Sequence, residues 1–119
     1  MSFNIAKNTR VRTVNVEATV DEQVYTLYTC PANCRAMMSL LFLTNAGGNV
    51  SVDVEWERTD GSHAHIVGGK NLTAGEFVQF SGGYFVFEPG DYMTVVADGS
   101  SPHVDFLATV EEIFLPVGG

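Results

Sequence analysis

The clearest pattern in the chain is the strict alternation from Asn49 to Thr59. Val50, Val52, Val54 and Trp56 are apolar, and Ser51, Asp53, Glu55 and Glu57 between them are polar or acidic. A period of two predicts a half-buried antiparallel strand, one face on a core and the other in water. Ahead of it, Asn45-Ala46-Gly47-Gly48-Asn49 reads as a turn, and Ala36–Thr44 is almost continuously apolar. So short a run before a glycine pair suits a strand buried on both faces better than a helix. The two runs are expected to pair as a hairpin.

Short apolar runs broken by Gly, Asn and Asp continue through the rest of the chain. Arg10–Ala18 and Val24–Thr29 read as strands joined through Asp21-Glu22-Gln23. After a turn at Thr59–Ser62, His63–Val67 is a short strand with His63, His65 and Val67 on one face, and Gly68-Gly69-Lys70-Asn71 turns again. Glu76–Ser81 and Tyr84–Phe87 are separated by Gly82-Gly83. Glu88-Pro89-Gly90-Asp91 is a tight turn, because Pro presets φ and Gly supplies a positive φ. Tyr92–Ala97 and Val104–Leu115 follow, the latter with Val104, Phe106, Ala108 and Val110 on one face. The expected fold is all-β, an antiparallel, jelly-roll-like β-sandwich of about eight or nine strands. No linker, repeat or low-complexity tract divides residues 1–119, so one domain is expected, with residues 1–9 a polar N-terminal arm that orders on a neighbour.

Composition narrows the function classes. The chain has 119 residues, 45% of them hydrophobic, enough for a core without metals or disulfides. Six Lys and Arg against 14 Asp and Glu give a formal net charge of −8. Nucleic acid and anionic membranes are poor partners for such a surface, since both are bound by clustered Lys and Arg. No apolar run approaches the ~20 residues of a membrane helix. The opening Met1-Ser2-Phe3-Asn4-Ile5-Ala6-Lys7 has no apolar h-region, so no secretory signal is expected. Cys30 and Cys34 in Cys-Pro-Ala-Asn-Cys are then read as reduced thiols, although a local disulfide is open to them.

Several residue groups could carry chemistry. Asp53, Glu55 and Glu57 share a strand face, but three like carboxylates lack the contrasting environments of an acid–base pair, and they read as a solvated face that deters edge aggregation. His63, His65 and His103 could form a cupin-like metal site, yet no carboxylate stands at the fitting spacing, and no metal or other cofactor is assigned. No local signature pairs Cys30 or Cys34 with a histidine as a nucleophile. The Gly pairs precede no Lys-Ser/Thr and open no helix, so none is a phosphate loop. The aromatic series Phe77, Phe80, Tyr84, Phe85, Phe87 and Tyr92 reads as core plus subunit contact, with sugar stacking as the alternative. Trp56 is expected to anchor the core.

Taken in order, these features resemble a known group. Tyr28-Thr29-Cys30-Pro31-Ala32-Asn33-Cys34 precedes a strand ending Leu43-Thr44-Asn45. Then come Val50–Trp56, Leu72-Thr73-Ala74-Gly75-Glu76 and Phe85-Val86-Phe87-Glu88-Pro89-Gly90-Asp91-Tyr92-Met93-Thr94-Val95. From about Val24 to Glu112 the chain resembles small β-sandwich virion proteins of tailed bacteriophages. That resemblance implies a non-enzymatic structural role as capsid decoration or cement, or as a head–tail or tail accessory protein. It implies as partners further copies of the chain and capsid or tail subunits, in a virion assembled in the host cytoplasm. The contact surface is expected at Tyr84, Phe85, Phe87 and Tyr92. A carbohydrate- or receptor-binding module is the second expectation, and a cupin-like metalloenzyme the third.

Overall fold

The computed structural model describes residues 8–116. Nine strands form among them: β1 (Thr9–Ala18), β2 (Tyr25–Thr29), β3 (Cys34–Asn45), β4 (Val50–Glu57), β5 (His63–Leu72), β6 (Phe77–Phe80), β7 (Phe85–Phe87), β8 (Tyr92–Asp98) and β9 (Val104–Phe114). A five-stranded sheet runs β1-β9-β3-β6, with β7 also on β3, and a four-stranded sheet runs β2-β8-β4-β5. Every pairing is antiparallel. β7 pairs Ala36–Met38 and β6 pairs Leu41–Thr44, so the two are halves of one interrupted strand on the same edge of β3. Counted as one, they leave eight strands, and the chain changes sheet at every connection except β4–β5. This is the jelly-roll form of the β-sandwich.

Alternation builds the core. Val52, Val54, Met93 and Val95 from one sheet meet Leu41, Leu43, Phe106, Val110 and Phe87 from the other, all fully buried. Trp56 is only half-buried; it packs against the core at the rim and donates from Nε1 to the Val86 carbonyl of the opposite sheet at 3.1 Å.

Three sequence expectations are corrected. First, β3 and β4 do not form a hairpin: β3 pairs with β9, β6 and β7, while β4 pairs with β5 and β8. The Gly-rich segment between them is a corner from one sheet to the other. Asn45 organises it: its buried amide donates to the Gly48 and Leu72 carbonyls at 2.8 and 3.1 Å and accepts from Gly47 N–H at 3.0 Å. Gly47 lies so close to the Ser101–His103 backbone that a Cβ there would stand 2.7 Å from the Ser101 carbonyl oxygen.

Second, β3 is not buried on both faces. Cys34, Ala36 and Met38, then Leu41 and Leu43, face the core, while Met37, Leu40 and Phe42 point outward and stay half-exposed. The inward phase changes because Ser39 is bulged between Met38 and Leu40. Third, Gly68-Gly69 does not end a strand. β5 continues to Leu72, and the glycines bulge opposite Asp53, whose Oδ1 accepts the Gly69 N–H at 2.7 Å. Gly69 has φ +63°, a conformation glycine tolerates without a Cβ penalty. Residues 1–7 of the expected N-terminal arm lie outside the described residues, and Thr9 already belongs to β1.

Candidate functional site

The four residues expected to form a contact surface are not on one surface. Phe87 is wholly buried and stacks edge-on against Tyr28, so it is a core residue; its phase on β7 points it inward opposite Ala36. Tyr92 belongs to the other sheet, half-buried, with its hydroxyl 3.4 Å from Glu57 Oε1. Phe85 faces inward at the sheet edge beside Phe80, and Tyr84 is exposed next to it. Only Tyr84 and Phe85 stay together, lining a notch with Phe80.

The apolar surface lies elsewhere, on the outer face of the five-stranded sheet. The registers place Val11, Glu111, Met37 and Val86 in one row, Thr13, Thr109 and Leu40 in the next, and Asn15, Leu107, Phe42 and Gln79 beyond it. Phe77 follows beside Thr44 and packs against Phe42 at 5.5 Å. Val11 is 67% exposed, Phe77 61% and Val86 39%, and Met37, Leu40, Phe42 and Leu107 are half-exposed. The outer face of the four-stranded sheet is the opposite in character. Asp53, Glu55 and Glu57 on β4 stand beside Val96, Thr94 and Tyr92 on β8, with Asp98 at the end. Thr94 donates to Glu57 at 3.0 Å, and His65 Nε2 lies 3.6 Å from Glu55. Asp105 and Glu17 complete the Phe77–Thr44 row, so the five-stranded face is apolar side chains interspersed with Glu111 and this acidic pair, whereas the four-stranded face is acidic along β4.

A buried charged cluster escaped the sequence reading. Glu112 is fully buried in phase with Val110, Ala108 and Phe106. It accepts from Arg10 Nε at 2.8 Å, from Arg12 Nη1 at 3.1 Å and from the Tyr28 hydroxyl of the facing sheet. Burial pushes its pKa up, but the hydrogen bonds from Tyr28 and Arg10 and the charges of both arginines outweigh that, leaving it below the ordinary carboxylate value. Burial, then the bond to Glu112, raises the Tyr28 pKa. Arg10 and Arg12 share the inward phase of Val14 and Val16, and that phase was the available signal. Both Glu112 oxygens are taken up by partners inside the fold, which reads as architecture.

Cys30 and Cys34 are free and buried. Burial, chiefly, pushes the Cys30 thiol up to about 11. Cys30 Sγ donates to the Cys34 and Phe87 carbonyls and Cys34 Sγ to Asn33 Oδ1; neither meets a histidine. The three histidines do not converge. His63 and His65 pair with Glu57 and Glu55 at one end of the β4–β5 ladder, whereas the His103 carbonyl accepts from Ala46 at the corner that opens β4. His103 instead joins Glu17 and Asp105, with ligand atoms within 4.8 Å of one another on the outer surface. That supplies three ligands where a structural zinc site uses four.

The strand order defines a jelly-roll β-sandwich. No protein-family model and no curated protein sequence matches the chain. Solved structures do match in fold. One is of Bacillus endospore appendages, described as disulfide-linked pili, at TM-score 0.57 and 13% identity over 92% of this chain and 90% of that one. Another is the acid-stable capsid of the Helicobacter pylori bacteriophage KHP30, at 0.54 and 12% over 89% of each chain. A third is the VP2 subviral particle of infectious bursal disease virus, at 0.53 and 13% over 92% of this chain, which spans about a third (33%) of that one. The likeness to β-sandwich virion proteins thus holds at the level of fold.

Proposed function

We propose that the chain is a non-enzymatic structural subunit of a phage particle, of the capsid decoration or cement kind or a head–tail or tail accessory protein. The observation that carries this reading is the apolar outer face of the five-stranded sheet. Soluble monomers seldom leave a contiguous apolar patch of several hundred Å² in water. Four strand positions at ~4.8 Å spacing and ~33 Å of β9 give the whole face, its Glu111, Thr13, Thr109, Asn15 and Gln79 included, an area of about 600 Å². This falls below the ~800 Å² per partner of a standard stable interface. One such contact is weak, and a lattice or closed ring that repeats it gains by multivalency. The acidic face then repels other copies and keeps free subunits soluble. Capsid and pilus structures with the same fold are assemblies of repeated subunits, which supports the same use here.

Light scattering across a concentration series tests the reading. The expected result is self-association that Met37→Glu and Leu107→Glu abolish while circular dichroism stays that of the wild type. A wild-type monomer that also fails to bind particles would refute it. So would charged variants that associate as well as the wild type.

A further inference from the structure

The interruption between β6 and β7 leaves a built notch in the sheet edge. Leu40 has no partner in β6 or β7, and Ser39, bulged out of register with β9, has no partner on either side. A strand break on one side of β3 thus coincides with a bulge on the other, the kind of irregularity that marks binding sites. Beside it lies an open cavity of about 330 Å³. Phe80 and Phe85 meet edge-on at 6.3 Å in its wall, and Tyr84 stands at its mouth, 63% exposed. Ser39, Gln79 and Ser81 supply polar groups, and Gln79 Nε2 already donates to Ser81 Oγ at 3.3 Å.

The chemistry of the wall selects the ligand. No lining residue is a carboxylate, lysine, arginine or histidine, so neither a cation nor an anion finds a counter-charge. A purely apolar ligand would strip water from Ser39, Gln79 and Ser81 without replacing their hydrogen bonds, which is costly. A neutral ring with one apolar face and a rim of hydroxyls satisfies both sets of groups. The volume lies at the small end of ligand clefts, which run from ~300 to 1,000 Å³.

We propose that this notch binds a neutral sugar, a pyranose stacked on Tyr84 with its hydroxyls held by Ser39, Gln79 and Ser81. It lies at the sheet edge and borders the outer apolar face at Gln79 and Leu40, so the two surfaces are separated by variants, Tyr84→Ala for the notch and Leu107→Glu for the assembly face. The experiment is an amide NMR titration with methyl glucoside, methyl galactoside, N-acetylglucosamine, cellobiose, lactose and chitobiose. At least one is expected to move the amides of Ser39 and of residues 79–85 and to leave the acidic face unchanged. Tyr84→Ala should weaken binding by about tenfold, the scale of one aromatic contact. Phe77→Ala, an exposed aromatic outside the notch, should bind as the wild type does. The proposal is overturned if none of these sugars moves those amides at ~20 mM, where even a millimolar Kd would show. It is equally overturned if Tyr84→Ala binds unchanged, or if the amides of Ser81, Tyr84 and Phe85 shift on dilution of the sugar-free Leu107→Glu variant, in which the sheet-face contact is removed; that would mark the notch as a seat for a second copy.

Discussion

Replacing Glu112 by Gln should destabilise the fold by ~2–4 kcal/mol at neutral pH. The side chain is fully buried and accepts from Tyr28, Arg10 and Arg12. A hydrogen bond to a charged group contributes ~1.5–3 kcal/mol, and the buried Tyr28 bond belongs to that class. The arginine side chains are 48% and 41% exposed, so solvent screens them and their pairings add less than the buried Tyr28 bond. Gln keeps an acceptor on one side but turns its NH2 either toward an arginine, which can only donate, or toward Tyr28, whose hydroxyl must then reverse its bond to accept. Urea unfolding measures the loss as a fall in midpoint at constant m-value. Tyr28→Phe alone should cost ~1.5–3 kcal/mol, and the double variant should lose at least ~1 kcal/mol less than the sum, because both changes remove the same bond. The pH dependence has a definite sign. The native Glu112 pKa is depressed, so its stabilisation is present above the unfolded value near ~4.3 and is lost as pH falls through the native one. The gap between wild type and Glu112→Gln should therefore shrink at acid pH. A penalty under ~0.5 kcal/mol at pH 7, or one that is the same at pH 7 and pH 3, would show that Glu112 is not the ionised hub of this cluster.

Three further outcomes are expected. Gly47→Ala forces a Cβ against the Ser101 carbonyl and the His103 amide, at 2.7 and 2.9 Å, and thermal unfolding should show a loss of ~1–3 kcal/mol; an unchanged midpoint would mean that the corner can relax. Phe87→Ala should cost ~3–5 kcal/mol in urea, as truncation of a fully buried aromatic does; a loss below ~1 kcal/mol would place Phe87 at the surface after all. A thiol reagent at pH 8 should label neither Cys30 nor Cys34 until urea is added, since both are buried and their thiol pKa values are raised. Rapid labelling of the native protein would contradict that burial.

The strands were legible because a period of two survives in almost all of them. Val50–Trp56 and Val104–Val110 each show it without a break, and their inward residues are those the alternation names. Sheet membership was not legible. Gly-rich turn chemistry serves a hairpin and a cross-sheet corner equally well, and the two are separated here by the buried amide of Asn45, a tertiary contact to Leu72. Gly68-Gly69 was misread for a similar reason, since glycine marks both turns and bulges. The apolar outer face was hidden because both phases of β3 are hydrophobic, and the Ser39 bulge exchanges them midway. Aromatic identity pointed to Phe85 and Phe87, whereas parity assigns Val86 between them to the outer face. Glu112 could have been caught by phase alone, as an acid standing where its neighbours on the strand are core residues.

The first and last strands lie side by side, with Thr9 opposite Ile113. The chain therefore enters and leaves the sandwich at the same rim, a few ångströms apart. A short peptide joining the two points would add little closure entropy, and a new opening at the exposed Asp60-Gly61 tip would leave every ladder intact. The same adjacency would let the sandwich be spliced as a cassette into a surface loop of another protein without prising that loop apart. Cargo tethered there would all project from one pole, leaving both outer sheet faces uncovered.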